Sequence, residues 1–185
     1  ACGKKETADT ESQAPELLTG KHHAVITIEN MGEIALELDA DAAPITVTNF
    51  VNLAKSKFYD GLTIHRAMYG FVIQGGDPNG NGTGGSKETI KGEFKENGVN
   101  NPLLHDRGVI SMARATDFDS ASSQFFIVQG EDCHASLDGK YAAFGRVTSG
   151  MEIVDNIAQS SVTVDANGTI KSGHKPIITS IKVTD

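Results

Sequence analysis

The chain has 185 residues, 38% hydrophobic and 22% charged, enough for one domain with a sizeable core. Its net charge of −8 and scattered Lys and Arg exclude broad nucleic-acid binding, which needs clustered cations. No apolar run reaches the ~18 residues of a spanning helix, and Cys2 and Cys133 alone exclude a disulfide framework.

Residues 1–21, ACGKKETADTESQAPELLTGK, are polar apart from Leu17 and Leu18 and read as a tail or tether before a domain at 22–185. Ala1-Cys2-Gly3 resembles the processed start of a bacterial lipoprotein, whose cysteine carries lipid. On that reading Cys2 attaches the protein to a membrane of the bacterial cell envelope, on its extracytoplasmic side. The alternative is an arbitrary truncation and a cytoplasmic protein.

AVITIE alternates, Asn30-Met31-Gly32 turns, and EIALEL puts Ile34, Leu36 and Leu38 on one face, which predicts an antiparallel hairpin. APITVTNFVNLAKS changes to helical period, with the stripe Val47, Phe50, Val51, Ala54 and with Pro44 in the first turn. TIHRAMYGFVIQGGD reads as strand again, punctuated by Gly70 and Gly75-Gly76. Arg66 and Gln74 stand among apolar neighbours there, either on a solvated sheet face or aimed into an apolar hollow. GVISMA, SQFFIV and AAFGRV are short strands between glycine-rich loops. SGMEIVDNIAQ is a second helix with capping-box spacing from Ser149 to Glu152. Asn167-Gly168 marks a turn, and PIITSIKV closes the chain with Ile177, Ile181 and Val183 on one face. About eight strands and two short helices predict a mainly β fold, a closed eight-stranded antiparallel barrel capped by two α-helices.

Most chemistry-bearing patterns fail on inspection. GNGTGGSK, Gly80 to Lys87, spaces its outer glycines like a phosphate loop but reverses the lysine and serine. Its glycines instead suit a surface loop. Ser120, Ser122 and Ser123 lack a nucleophile elbow, DANGTIKSG places its glycine too early for a calcium loop, and no histidine pair has ligand spacing with a third ligand near, so no metal is expected.

Four stretches remain: HRAMYGFVIQGGDPNGNGTGG, RGVISMARA, SASSQFFIV and LDGKYAAFGRVTSGMEIVDNI. In this order they resemble the cyclophilin-type peptidyl-prolyl cis-trans isomerases over roughly residues 23–184. The resemblance implies rotation about X-Pro bonds of polypeptides as a folding aid, without metal, cofactor or covalent intermediate. It assigns Arg66, Gln74 and Phe71 to catalysis and Val72, Ala113, Arg114, Gln124, Phe126, Leu137 and Tyr141 to substrate binding. Ala113 and Arg114 are expected to act through backbone, which leaves the side chain at 114 less critical. Strand parity agrees in part: Val72 and Gln74 share a face, as do Gln124 and Phe126, while Phe71 must reach in from the bend after Gly70. Plain core packing is the alternative for these aromatics.

Rotation about a peptide C–N bond faces a barrier of about 18–20 kcal/mol, and a catalyst must bind the twisted amide better than the planar one. Twisting localises a lone pair on the proline nitrogen, which a charged, rigid donor such as Arg66 can meet. The chain departs from the family where Ser136 replaces a common tryptophan before LDG, which implies weak cyclosporin binding. Tyr141 stands for a common histidine and Val72 for a common methionine. A non-catalytic proline-peptide module on the same fold is the rival reading, and a small-ligand barrel is disfavoured by the plugged ends. Monomer is the default state, since no long exposed apolar stripe is visible.

Overall fold

The computed structural model describes residues 16–185. Residues 1–15 of the expected tail, Cys2 among them, lie outside the described residues. The last part of that tail touches the domain: the Leu18 N–H donates to Thr48 Oγ1 at 2.9 Å and that of Gly20 to Asp41 Oδ1 at 2.9 Å.

Eight strands form one sheet: β1 Lys21–Ile28, β2 Gly32–Asp39, β3 Thr63–Ala67, β4 Val72–Asp77, β5 Val109–Met112, β6 Phe125–Val128, β7 Ala143–Ser149 and β8 Ile178–Val183. Their order is β3-β4-β6-β5-β7-β2-β1-β8, and every neighbouring pair is antiparallel. The two ends of that row meet over a short stretch. Ile64 N–H bonds the Pro176 carbonyl at 2.9 Å, and Ile178 N–H bonds that of Leu62 at 2.7 Å. The barrel is thereby nearly closed, and its would-be edges find partners.

Helix α1, Pro44–Lys55, begins on its proline, and α3 covers Met151–Ser160. Both bury their apolar stripes in the cluster that fills the barrel, built from Ile26, Ile34, Leu36, Leu38, Ile73, Ile110, Phe125, Ile127 and Phe144. Phe50 of α1 is fully buried and packs on the rings of Tyr59, Phe125 and Phe144. Such burial is worth roughly 2–3 kcal/mol per ring. No side chain of its own caps α1. Buried Glu93, 47 residues on, accepts from Thr46 N–H at 2.6 Å and from its hydroxyl at 2.7 Å. Its carboxylate thus satisfies donors and complements the positive end of the helix.

Three sequence readings need correction. A further α-helix, α2 His134–Leu137, is one turn long, too short for any periodicity to reveal. The capping box at Ser149 and Glu152 is absent, because Ser149 ends β7 and Gly150, at φ 94°, is the cap residue without a side-chain bond. Ile177 faces outward while Ile178 is buried. Thr27 opposes Ser180 and Ile28 opposes Ile178, so Thr179 is an extra residue in β8 that shifts the alternation.

Strands β4, β5 and β6 and the first three residues of β7 are buried on both faces, apart from half-buried Gln74. Ile73, Ile110, Phe125 and Ile127 point into the barrel, while Val72, Val109, Phe126, Val128 and Ala143 form a second cluster on the outer side with Cys133 and Leu137. That outer cluster is the floor of the site.

Candidate functional site

Strict alternation along β3 would carry Arg66 to the same face as Ile64, the barrel interior. The register prevents this. Ile64 opposes Gly75 and Arg66 opposes Gln74, which leaves His65 as an extra residue. This bulge returns Ala67 to the interior and aims Arg66 at the outer cluster.

Nine of the ten catalytic and substrate-binding candidates line one open cavity of about 260 Å³: Arg66, Phe71, Val72, Gln74, Ala113, Arg114, Phe126, Leu137 and Tyr141. The tenth, Gln124, lines an adjoining cavity of about 310 Å³ with Gly82, Gly84, Ser120 and Ser122. It touches the first cavity through Gln74, whose Nε2 donates to Gln124 Oε1 at 3.0 Å, while Gln124 Nε2 donates to the Gly84 carbonyl at 2.7 Å. The loop after β4 is therefore wall, with Asp77 accepting the N–H groups of Asn79, Asn81 and Gly82 to shape it.

The Arg66 guanidinium is held on several sides. Nε donates to the Asn167 carbonyl at 2.6 Å, Nη1 to Gln74 Oε1 at 3.2 Å, and Nη2 approaches Met68 Sδ at 3.2 Å. The Phe71 ring centroid lies 6.0 Å from its carbon. Phe71 enters from the Met68–Phe71 turn, where Gly70 has φ 79°. Phe126 is stacked on His105 beneath it at 6.0 Å and met edge-on by Tyr141 at 5.5 Å. The result is an open hollow with an apolar floor and a multiply anchored cation on its rim, preorganised to meet charge that develops on a bound amide.

Arg114 departs from expectation. Its side chain does not lie idle: the guanidinium carbon sits 4.7, 4.9 and 5.0 Å from the ring centroids of Tyr141, Phe94 and Phe118. Nε and Nη2 both donate to the Lys140 carbonyl, at 3.0 and 2.6 Å, and Nη1 donates to that of Ala115 at 3.0 Å. This cation gathers three loops into the groove wall.

Under the floor runs a chain of titratable groups. His105 contacts Ser111 Oγ at 2.8 Å and Asp138 Oδ1 at 3.0 Å, and Asp138 Oδ2 contacts His134 Nδ1 at 2.8 Å. Burial pushes His105 below the usual histidine range. The bond to Asp138, then the nearby Asp106 and Asp132 carboxylates, raise His134. Burial would raise Asp138, but the His105 N–H and the two imidazoles outweigh it and hold the carboxyl low.

Met68, Gln129, Phe94 and Phe118 escaped the sequence reading, which noted Asn167 as a turn residue and missed its contact with Arg66. Asn167 acts through a carbonyl, which every residue has, and no side-chain pattern could single it out.

The pattern of the family described as cyclophilin type peptidyl-prolyl cis-trans isomerase matches residues 23–183. Peptidyl-prolyl cis-trans isomerase B of Bacillus subtilis is 47% identical over 135 residues, 73% of this chain and 90% of its own. A peptidyl-prolyl cis-trans isomerase of Helicobacter pylori is also 47% identical over 135 residues, 72% of this chain and 78% of its own. A cyclophilin-type isomerase of Cryptosporidium parvum superposes with TM-score 0.77 at 28% identity, covering 90% of this chain and 99% of that one. A second structure of it, in the presence of the dipeptide Ala-Pro, gives 0.76 at 29%, covering 88% and 99%. The chain belongs to the cyclophilin-type peptidyl-prolyl cis-trans isomerase family.

Proposed function

We propose that the outer groove receives an X-Pro segment and that Arg66 is its catalytic residue, stabilising the amide in its twisted form. The proline ring sits against Phe126, Leu137, Tyr141 and Val72, with Phe71 closing the side next to Arg66. Gln74, bonded to Arg66 and to Gln124, sets the guanidinium's position, and the backbone at Ala113 and Arg114 orients the peptide.

In the planar amide the proline nitrogen is a poor acceptor, because its lone pair is delocalised. At the half-turned geometry the lone pair is localised, and a donor there gains a hydrogen bond absent in either ground state. Arg66 already has its Nε and Nη1 engaged, so little reorganisation accompanies the reaction. The observation that carries this reading is the bulge-directed guanidinium, fixed by Asn167 and Gln74 at the rim of a phenyl-lined hollow. A pure binding module has little use for such a donor. The experiment is isomerisation of a short X-Pro peptide by wild type and Arg66→Ala. A large rate loss supports the assignment, equal rates reject it, and inactivity of both favours the binding module.

Ser136, exposed beside Leu137, supports weak cyclosporin binding, because the flat wall a tryptophan would add is missing. The envelope location rests on Ala1-Cys2-Gly3 and the polar stretch behind it. Metabolic labelling with a lipid analogue in cells, with Cys2→Ser as control, tests it, and equal labelling of both rejects it. The monomer reading is tested by sedimentation, where a mass near 19.6 kDa is expected.

A further inference from the structure

The Met68–Phe71 turn brings two groups to Arg66, the Met68 sulfur and the Phe71 ring. A surface turn with a glycine in the left-handed region is not rigid by itself. Something must hold it, and its polar groups show what does. The Gly70 N–H donates to Gln129 Oε1 at 2.6 Å. The Phe71 carbonyl accepts from the Gln129 N–H at 2.7 Å and from the Gly130 N–H at 3.1 Å. Gly130 permits this approach, since a Cβ there would collide with the Gly70 carbonyl oxygen.

Gln129 is itself buried, and both ends of its side-chain amide are bonded. Its Nε2 donates to Asp155 Oδ1 on α3 at 3.0 Å, and its main-chain carbonyl accepts from Arg107 Nη1 at 2.6 Å. Arg107 in turn grips both Asp155 oxygens, at 2.7 and 2.6 Å. The side-chain amide is thus oriented with its oxygen toward the turn and its nitrogen toward the helix, because only that orientation satisfies both ends.

We propose that Gln129 is a positioning residue for catalysis, a buried strut that fixes the Phe71 turn, and through it the Arg66 guanidinium, against Asp155 of α3. The inference rests on the reading of Arg66 and Phe71 as catalytic. Gln129 touches no substrate and acts through the turn alone. Since Arg66 acts only on the twisted amide, loosening its neighbours lowers kcat more than it raises KM.

The test uses four variants on a short X-Pro peptide, well below the unfolding temperature. Gln129→Met keeps the backbone bonds but leaves the Gly70 N–H without its acceptor, and kcat falls about tenfold with KM within about twofold. Gln129→Glu turns a carboxylate toward Asp155 and loses a similar factor. Gln129→Glu combined with Asp155→Asn restores kcat to within about threefold of wild type. In that double variant the new carboxylate on the strut still accepts from Gly70 and takes donors from both the new amide on α3 and Arg107 Nη1, which shares Asp155 Oδ1 with Gln129 Nε2 in the wild type. The fourth variant, Asp155→Ala, lies at the surface and tolerates truncation should the buried variants fail to fold. It lowers kcat about threefold and speeds hydrogen exchange at the Gly70 amide. Wild-type kinetics in folded Gln129→Met, a loss confined to KM or to thermal stability, failure of the double variant to recover, or unchanged exchange and kcat in Asp155→Ala each overturns the proposal. Arg66→Ala in the same assay separates the two claims. If it keeps the wild-type rate, the catalytic reading itself is wrong. If it is slow while the Gln129 variants are not, only the strut is wrong.

Discussion

The Nε of Arg66 donates to the main-chain carbonyl of Asn167 at 2.6 Å, across 101 residues of chain. The loop offering that carbonyl is tied to β3 on both sides, by Ala67 N–H to the Gly168 carbonyl at 2.9 Å and by Ile170 N–H to that of His65 at 2.9 Å. Gly168 has φ 79°, and a Cβ there would strike the Ala67 carbonyl oxygen. Asn167→Ala therefore leaves kcat within about twofold, whereas Gly168→Ala displaces the loop and lowers kcat about tenfold. Steady-state kinetics of the two variants decide whether the carbonyl's position matters.

A second outcome follows from the three rings around Arg114. Arg114→Ala removes three cation–π contacts and four carbonyl bonds. A loss of about 2 kcal/mol in urea unfolding is expected. KM is expected to rise while kcat holds, since on the proposed reading Tyr141 is a wall of the proline pocket and serves planar and twisted forms alike. A silent substitution would restore the backbone-only role that the family resemblance implies.

The two histidines that share the Asp138 carboxylate give stability an opposed pH dependence on either side of the usual histidine value of 6.5, because His105 is buried and His134 is not. His134 is raised by its bond to Asp138, so its contribution is complete below that value and fades as pH rises through the folded pKa. His105 is lowered by burial, so its contribution is complete above 6.5 and fades as pH falls. His134→Gln should reduce the alkaline decline, to which His23 raised by its bond to Asp185 also contributes, and leave the acid decline in place. Urea unfolding between about pH 5 and pH 9 measures both limbs, and an unchanged alkaline limb contradicts the assignment.

Ser136→Trp adds an aromatic face beside Leu137 and is expected to tighten cyclosporin binding by at least about tenfold, at least ~1.4 kcal/mol. Isothermal titration of wild type and variant measures it, and equal affinities would contradict the proposal that Ser136 weakens binding.

Where local pattern decides structure, the sequence was readable. The β1–β2 hairpin, the Val47-Phe50-Val51-Ala54 stripe and the Pro44 start are all in place. The cavity residues were reachable through motif resemblance, because they fall within four distinctive stretches of sequence. What stayed hidden depends on chain far away or on a one-residue offset. The Thr179 bulge inverts the ends of β8, and the His65 bulge turns Arg66 outward. Glu93 caps a helix 47 residues upstream. Arg114 finds its aromatic neighbours, and Arg66 its carbonyl, only once the loops have folded together.

Differential binding is the centre of this account, and it is measured by comparing affinity with rate in one variant. Arg66→Ala should bind a planar X-Pro peptide with a Kd within about threefold of wild type, while kcat drops about 10²–10³-fold. A loss of affinity as large as the loss of rate would mean that Arg66 grips flat and twisted amides alike, and the mechanism would fail.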